Sequence, residues 1–169
     1  MLDQFTLALE VVIRHVRQDD VRRLEWFGLL TPFRDVIQRA YARAEQGEIA
    51  FLVADLNGFP VGQVWVDFVR QAEAGVGVIW ALRVLEPLQN LGIGSHLIRA
   101  AESAITARRL RTAEIAVSVE NLAARRLYER LGYRVIRAQD ERWSYATLDG
   151  VLHPVEEREW ILRKTLEAP

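Results

Sequence analysis

The chain contains no cysteine. That excludes a disulfide framework, a thiolate metal site and an acyl group carried on a protein thiol. Histidine is nearly as scarce: His15, His96 and His153 lie far apart without ligand spacing, so no metal is expected. No uninterrupted apolar run approaches the roughly 18 residues of a membrane span. Asp3 and Glu10 stand where a secretory leader would carry basic residues, and a cytoplasmic location with no membrane partner is the expectation. Neither sign of charge dominates. The 22 basic and 23 acidic residues leave a formal net charge of −1, which gives no ground for a nucleic-acid partner, so any anion must be held locally. No repeat or low-complexity linker divides the chain, and residues 1–169 read as one domain.

Half of the residues are apolar, and their periodicity orders the elements. Alternation from Thr6 to about Val16 predicts a strand. Asp19 or Asp20 can cap a helix carrying Val21, Leu24 and Phe27 and ending near Thr31-Pro32, and a second helix spans about Phe33 to Gln46. Ile49 to Leu56 and Val61 to Arg70 flank Asn57-Gly58, a hairpin signal. Val76 to Leu85 is apolar on both faces except at Arg83, the mark of a central strand. A helix of about Ser95 to Arg109 and a strand from Thr112 to Val119 complete a β-α-β unit, so the two central strands are parallel. Asn121 opens a last helix that Gly132 closes. Tyr133 to Arg137 and Glu157 to Leu166 predict final strands joined by an irregular stretch, with Glu156-Glu157 and Arg163-Lys164 on a solvated edge. The fold class is α/β, a mixed sheet with helices on both faces.

Between the central strand and its helix stands Gln89-Asn90-Leu91-Gly92-Ile93-Gly94-Ser95. A glycine-containing turn entering a helix can hold a phosphate on unpaired N–H groups aided by the helix dipole. There is no Gly-Lys-Ser/Thr for a nucleoside triphosphatase, and Leu97 replaces the third glycine of a dinucleotide fingerprint. A second constellation runs from Asn121 through Ala124, Leu127 and Tyr128 to Gly132-Tyr133, with Ala124, Leu127, Tyr128 and Leu131 on one helix face.

These residues resemble the GNAT superfamily of acetyl-CoA-dependent N-acetyltransferases over nearly the whole chain, from Ile13-Arg14 through Leu82-Arg83-Val84 and the Gln89 loop to Gly132-Tyr133. The resemblance implies a GNAT-like acyl-CoA N-acyltransferase fold, with a mixed sheet of about seven strands splayed between two parallel central strands. It implies that the pantetheine arm of acetyl-CoA pairs with the backbone of Leu82, Arg83 and Val84. The pyrophosphate would rest on Gln89, Asn90, Leu91, Gly92, Ile93, Gly94 and Ser95. Asn121 and Ala124 would meet the cofactor, and Tyr128 would stand beside the thioester sulphur. Many relatives carry a basic residue where this chain has Asn90 and Leu91, which leaves remoter arginines such as Arg125 or Arg126 to meet the phosphates.

Attack of an amine on a thioester needs a donor for the developing oxyanion, an acid near the leaving thiolate and a route for the amine proton. Strand backbone and Tyr128 answer the first two needs. The central strand has no carboxylate for the third, leaving Glu120, the first choice, or Asp67. Trp26, Phe27, Trp65, Trp143 and Tyr145 are candidates to line a pocket for a small-molecule or peptide amine. The expectation is an acetyl transferase working by direct attack, with a homodimer as an open arrangement. A non-catalytic acyl-CoA sensor of the same fold, or an enzyme moving a longer acyl group, are the alternatives.

Overall fold

The structure is a computed structural model and describes residues 8–147 and 150–167. Seven strands form one sheet: β1 (Val11–His15), β2 (Ile49–Leu56), β3 (Phe59–Gln71), β4 (Val76–Val84), β5 (Thr112–Ser118), β6 (Arg134–Ala146) and β7 (Leu152–Thr165). Their spatial order is β1-β2-β3-β4-β5-β7-β6. The helices are α1 (Gln18–Arg23), α2 (Arg34–Glu45), α3 (Ile93–Ala107) and α4 (Leu122–Arg130). The β4–β5 pair is parallel and the other neighbours are antiparallel, so the mixed sheet and its parallel centre are as the sequence predicts. The first predicted strand begins outside the described residues.

Two apolar layers sandwich the sheet. On one face α3 buries Leu97, Ile98, Ala101 and Ile105 against Val64, Val66, Ile79 and Ile115, each large aliphatic side chain contributing about 1.5–3 kcal/mol when fully covered. Gly77 lets α3 come this close: a Cβ there would lie 2.5 Å from Ile105 Cγ1. On the other face Leu24, Leu30, Ile37 and Ala40 cover Phe51, Val53 and Trp65. The β2–β3 hairpin closes through Asn57 and Gly58, both at positive φ (52° and 82°), the two-residue turn whose twist matches the strands.

Three expectations are corrected. The first helix stops at Arg23 instead of running to Thr31, and single turns of 3-10 helix follow at Trp26–Gly28 and Thr31–Phe33. Its continuation would carry Trp26 away from the sheet. Instead Trp26 and Phe27 take positive φ (44° and 59°), and the buried Trp26 Nε1 donates to the Pro60 carbonyl at 2.7 Å, so tertiary anchoring overrides helix periodicity. The stretch predicted as irregular after Arg137 is the long β6–β7 hairpin, where Asp140 faces Arg158 and Arg142 faces Glu156. Charged residues obscure the period-2 pattern, and these two opposed pairs are complementary across the ladder. The strand bearing Arg163-Lys164 is not an edge, because β7 lies between β5 and β6. Arg163 pairs with buried Glu114 at 2.8 Å and Lys164 with Glu102 at 2.9 Å.

Candidate active site

The two parallel strands are joined over only half their length. Val76 to Ile79 pair with Thr112 to Ile115. Beyond them, β4 stays on β3, Arg83 facing Gln63 and Val84 facing Gly62, while β5 stays on β7. The parting begins at a bulge: Gln63 to Trp65 is a two-residue step on β3 but Arg83 to Trp80 is three on β4. The extra residue is Ala81, at φ 53°, a left-handed conformation costing an alanine roughly 1–2 kcal/mol. The edge of residues 80–84 that faces β5 is therefore free of ladder partners. It lies at the carboxyl ends of the parallel strands, the usual ligand position in such sheets.

The turn into α3 opens at the same end. Asn90 (φ 62°) and Gly92 (φ 89°) bend the chain, and Gly92 is the N-cap of α3. Among the described residues, none of the backbone N–H groups from Asn90 to Ser95 donates a hydrogen bond, whereas those of Gln89 and His96 do. Six consecutive free donors at the positive end of a 15-residue helix form an anion seat without a basic side chain. The two glycines differ. Gly92 needs glycine for its φ, while a Cβ at Gly94 would meet only Leu127 at 3.5 Å and Val84 at 4.0 Å. Close approach at Gly94 is thus required by nothing within the chain. Gln89 Nε2 donates to the Val84 carbonyl at 3.0 Å, tying the loop to the end of β4.

Helix α4 faces the parting from β5. Asn121 is its N-cap, accepting from the Ala124 N–H at 3.1 Å, so Oδ1 is occupied and the side-chain NH2 is what remains for a ligand. Tyr128 is 5% exposed, with its ring 6.2 Å from Tyr133. Burial pushes its phenol well above the usual tyrosine value, so it stays protonated across the working range of an enzyme. Glu120 is exposed at the turn between β5 and α4.

Asp67 is elsewhere. It faces Val78 on the joined half of β4 and is 6% exposed. Its carboxylate accepts from the Val69 and Arg70 N–H groups, both at 2.9 Å, and pairs with Arg43 at 2.9 Å. Those partners outweigh desolvation and hold its carboxyl below the usual range. Asp67, an expected candidate base, thus has its carboxylate engaged by these partners and stands on the joined half of the sheet, away from the parting. Arg125 is likewise committed, to Glu129 at 2.9 Å and over the Trp160 ring at 5.4 Å, while Arg126 is exposed.

The aromatic candidates divide. Trp26 and Trp65 are core, 4% and 1% exposed. Phe27 lies open and stacks on Phe59 at 5.6 Å. Trp143 and Tyr145 of β6 reach Phe33, at 6.4 and 5.0 Å, so the long hairpin touches the segment before α2. Arg83 extends over Phe33 at 5.0 Å. The Phe33 contact and the Arg83 side chain escaped sequence reasoning, although Arg83 is the one charge in β4 and Gln63 a lone amide within an apolar run.

Among known proteins, residues 13–133 match the acetyltransferase (GNAT) family. An uncharacterized N-acetyltransferase of Methanocaldococcus jannaschii is 34% identical over 94 residues, which are 53% of this chain and 41% of that protein; the matched stretch spans less than half of the curated relative's length. The fold is shared with an N-acetyltransferase from Staphylococcus aureus Mu50 (TM-score 0.73, 14% identity, 94% of this chain and 99% of that one). It is also shared with yncA from Salmonella typhimurium, solved with its cofactor acetyl-CoA (TM-score 0.72, 16% identity, 95% and 96%).

Proposed function

The chain belongs to the GNAT acetyltransferase family, and from that premise we propose that it transfers the acetyl group of acetyl-CoA to a primary amine by direct attack in a ternary complex, residues 1–169 forming one catalytic domain. The observation that carries this reading is the coincidence of two unsatisfied backbone surfaces at one end of the sheet. These are the free edge of residues 80–84 and the run of free N–H groups from Asn90 to Ser95.

The residues fit the donor. The N–H run suits a pyrophosphate, and the free edge of Leu82 to Val84 suits an amide-bearing arm that pairs as a strand would. When bound, acetyl-CoA supplies a thioester whose carbonyl carbon accepts the amine nitrogen and whose C–S bond breaks to release the thiolate. Backbone N–H groups of β4 are the oxyanion donors in this reading. Tyr128 hydrogen-bonds the departing sulphur. Because burial raises its pKa, complete proton transfer to a thiolate is uphill, and its part is stabilisation by a shared hydrogen bond. Asn121 offers its NH2 to the arm. Glu120 receives the amine proton through a water, since an exposed carboxylate can act along one intervening water. With no cysteine in the chain, no acyl-enzyme on a thiol forms.

The test is release of free thiol from acetyl-CoA on addition of a panel of primary amines. Amine-dependent release that saturates in both substrates is expected. Failure of calorimetry to detect acetyl-CoA binding at millimolar cofactor overturns the reading.

A further inference from the structure

Arg83 is the exception among the sheltered arginines. Arg14 holds Asp20 and Asp55, Arg34 holds Glu25, Arg43 holds Glu48 and Asp67, and Arg125 holds Glu129. Arg83 is partly buried yet makes no hydrogen bond or ion pair among the described residues; its guanidinium rests on the Phe33 ring at 5.0 Å. Glu25, a carboxylate carried on the neighbouring helical segment, is taken by Arg34 and Thr31 at 2.7 Å. Burial without an acidic partner lowers the Arg83 pKa, which expresses the same lack of compensation.

A second polar group on this face also has no protein partner. Gln63 stands directly opposite Arg83 in the β3–β4 register, and opposed residues share a face of the sheet. It is fully buried, 0% exposed, and neither its Nε2 nor its Oε1 has a hydrogen-bond partner. Two residues along β3, on the same face, the buried Trp65 Nε1 is unpaired too. Buried polar groups are ordinarily satisfied, so a free cation, a free amide and a free indole N–H along one stretch of sheet are a standing demand for an acceptor of hydrogen bonds. Leu82 and Val84 pack against the α3 layer, whereas Ala81 packs against the layer of α1 and α2. Alternation therefore sends Arg83 to the face opposite α3, where Phe33, Trp143 and Tyr145 meet.

We propose that Arg83, with Gln63 beside it, binds a carboxylate of the acceptor, so that the amine acetylated by this enzyme belongs to a small α-amino acid and not to a polycation or a polypeptide. This rests on the amine-acetylation reading above. A guanidinium presents a planar fork that matches a carboxylate and is weakly enough hydrated to be held in a sheltered site. The free charge here is positive, which disfavours polyamines and aminoglycoside-like amines by like-charge repulsion. Contact between the hairpin and Phe33 bridges the acceptor face, which suits a compact molecule better than an extended chain.

The test compares kcat/KM across matched sets: free α-amino acids, their α-amides, the corresponding decarboxylated amines, and short peptides with free N-termini. Wild type is expected to favour the acids by about a hundredfold, the range for a sheltered charge pair. Arg83→Met removes that preference by lowering the acids' values, and Arg83→Lys, which keeps the charge but loses the fork, falls between. Amides, amines or peptides used as well as acids by wild type overturn the proposal, and so does a preference that survives in a folded Arg83→Met protein. Should no amine of any set release thiol, the acetyl-transfer reading itself fails, an outcome distinct from transfer that ignores the carboxylate.

Discussion

The joined and parted halves of the β4–β5 pair are built to opposite rules. Over Val76 to Ile79 each residue is paired with β5, and these strand residues are buried. Its buried charged groups are enclosed, Asp67 by two N–H groups and Arg43, and Glu114 by Gln71, Arg137 and Arg163. Over Trp80 to Val84 the strand is bulged, one edge is open, Trp80 is 37% exposed, and Arg83 and Gln63 lack partners. The closed half satisfies itself, and the open half keeps donors without protein partners, which is where the proposed function seats its cofactor. The strain at Ala81 stands at the boundary between them, as strained backbone commonly does at binding sites.

Four substitutions test this division. The largest effect is expected at Tyr128, where Tyr128→Phe keeps the ring and its packing but removes the hydroxyl. Turnover should fall by about ten- to a thousandfold with acetyl-CoA affinity nearly unchanged; unaltered kcat would return Tyr128 to the core. At Gly94, where a Cβ meets only ordinary contacts, Gly94→Val should leave thermal stability close to wild type. Its acetyl-CoA affinity should weaken about a hundredfold, because a side chain occupies the place where an anion must approach the backbone. Equal affinity by calorimetry would remove the loop as the phosphate seat.

Smaller effects are expected at the two carboxylates. Glu120→Gln should lower the maximal rate by about ten- to a hundredfold with little change in the cofactor's KM, and an unchanged rate would mean that the proton leaves by another route. Asp67 belongs to the closed half, so Asp67→Asn should change kcat by less than about threefold while costing about 1–3 kcal/mol of stability. The sign of the pH dependence follows from its pKa, which is lower folded than unfolded. Its stabilisation is present above the ordinary carboxylate range and is lost as pH falls through the folded value. Thermal melts of wild type and Asp67→Asn should therefore converge as the buffer is taken below about pH 4. A constant gap would contradict the ion-pair assignment.

The closed half was legible in the sequence and the open half was legible only in part. Apolar continuity from Val76, the spacing of Leu97, Ala101 and Ile105, and the Asn57-Gly58 turn report directly on burial and backbone conformation, and the structure follows them. The turn into α3 with its free N–H groups was legible because glycine placement and helix entry are local. The β6–β7 hairpin was not, since charged residues break its apolar alternation and opposed pairs such as Arg142 and Glu156 are revealed only by the pairing. Nor was the fate of Asp67, whose partner Arg43 stands on α2. The bulge at Ala81 left no signal, because nothing in an alanine's identity marks it for a positive φ. Arg83 was visible as a lone charge, but its lack of a partner is a property of the assembled sheet.

In the proposed complex acetyl-CoA occupies the parting of the two strands, seated on the α3 turn and paired along β4. Amide hydrogen exchange, followed residue by residue with and without saturating acetyl-CoA, tests this arrangement most directly. It predicts strong slowing at Asn90 to Ser95 and among Leu82 to Val84, with little change at Val76 to Ile79, whose amides are already protected. Tight binding that leaves the α3 turn and the end of β4 exchanging as before would contradict it.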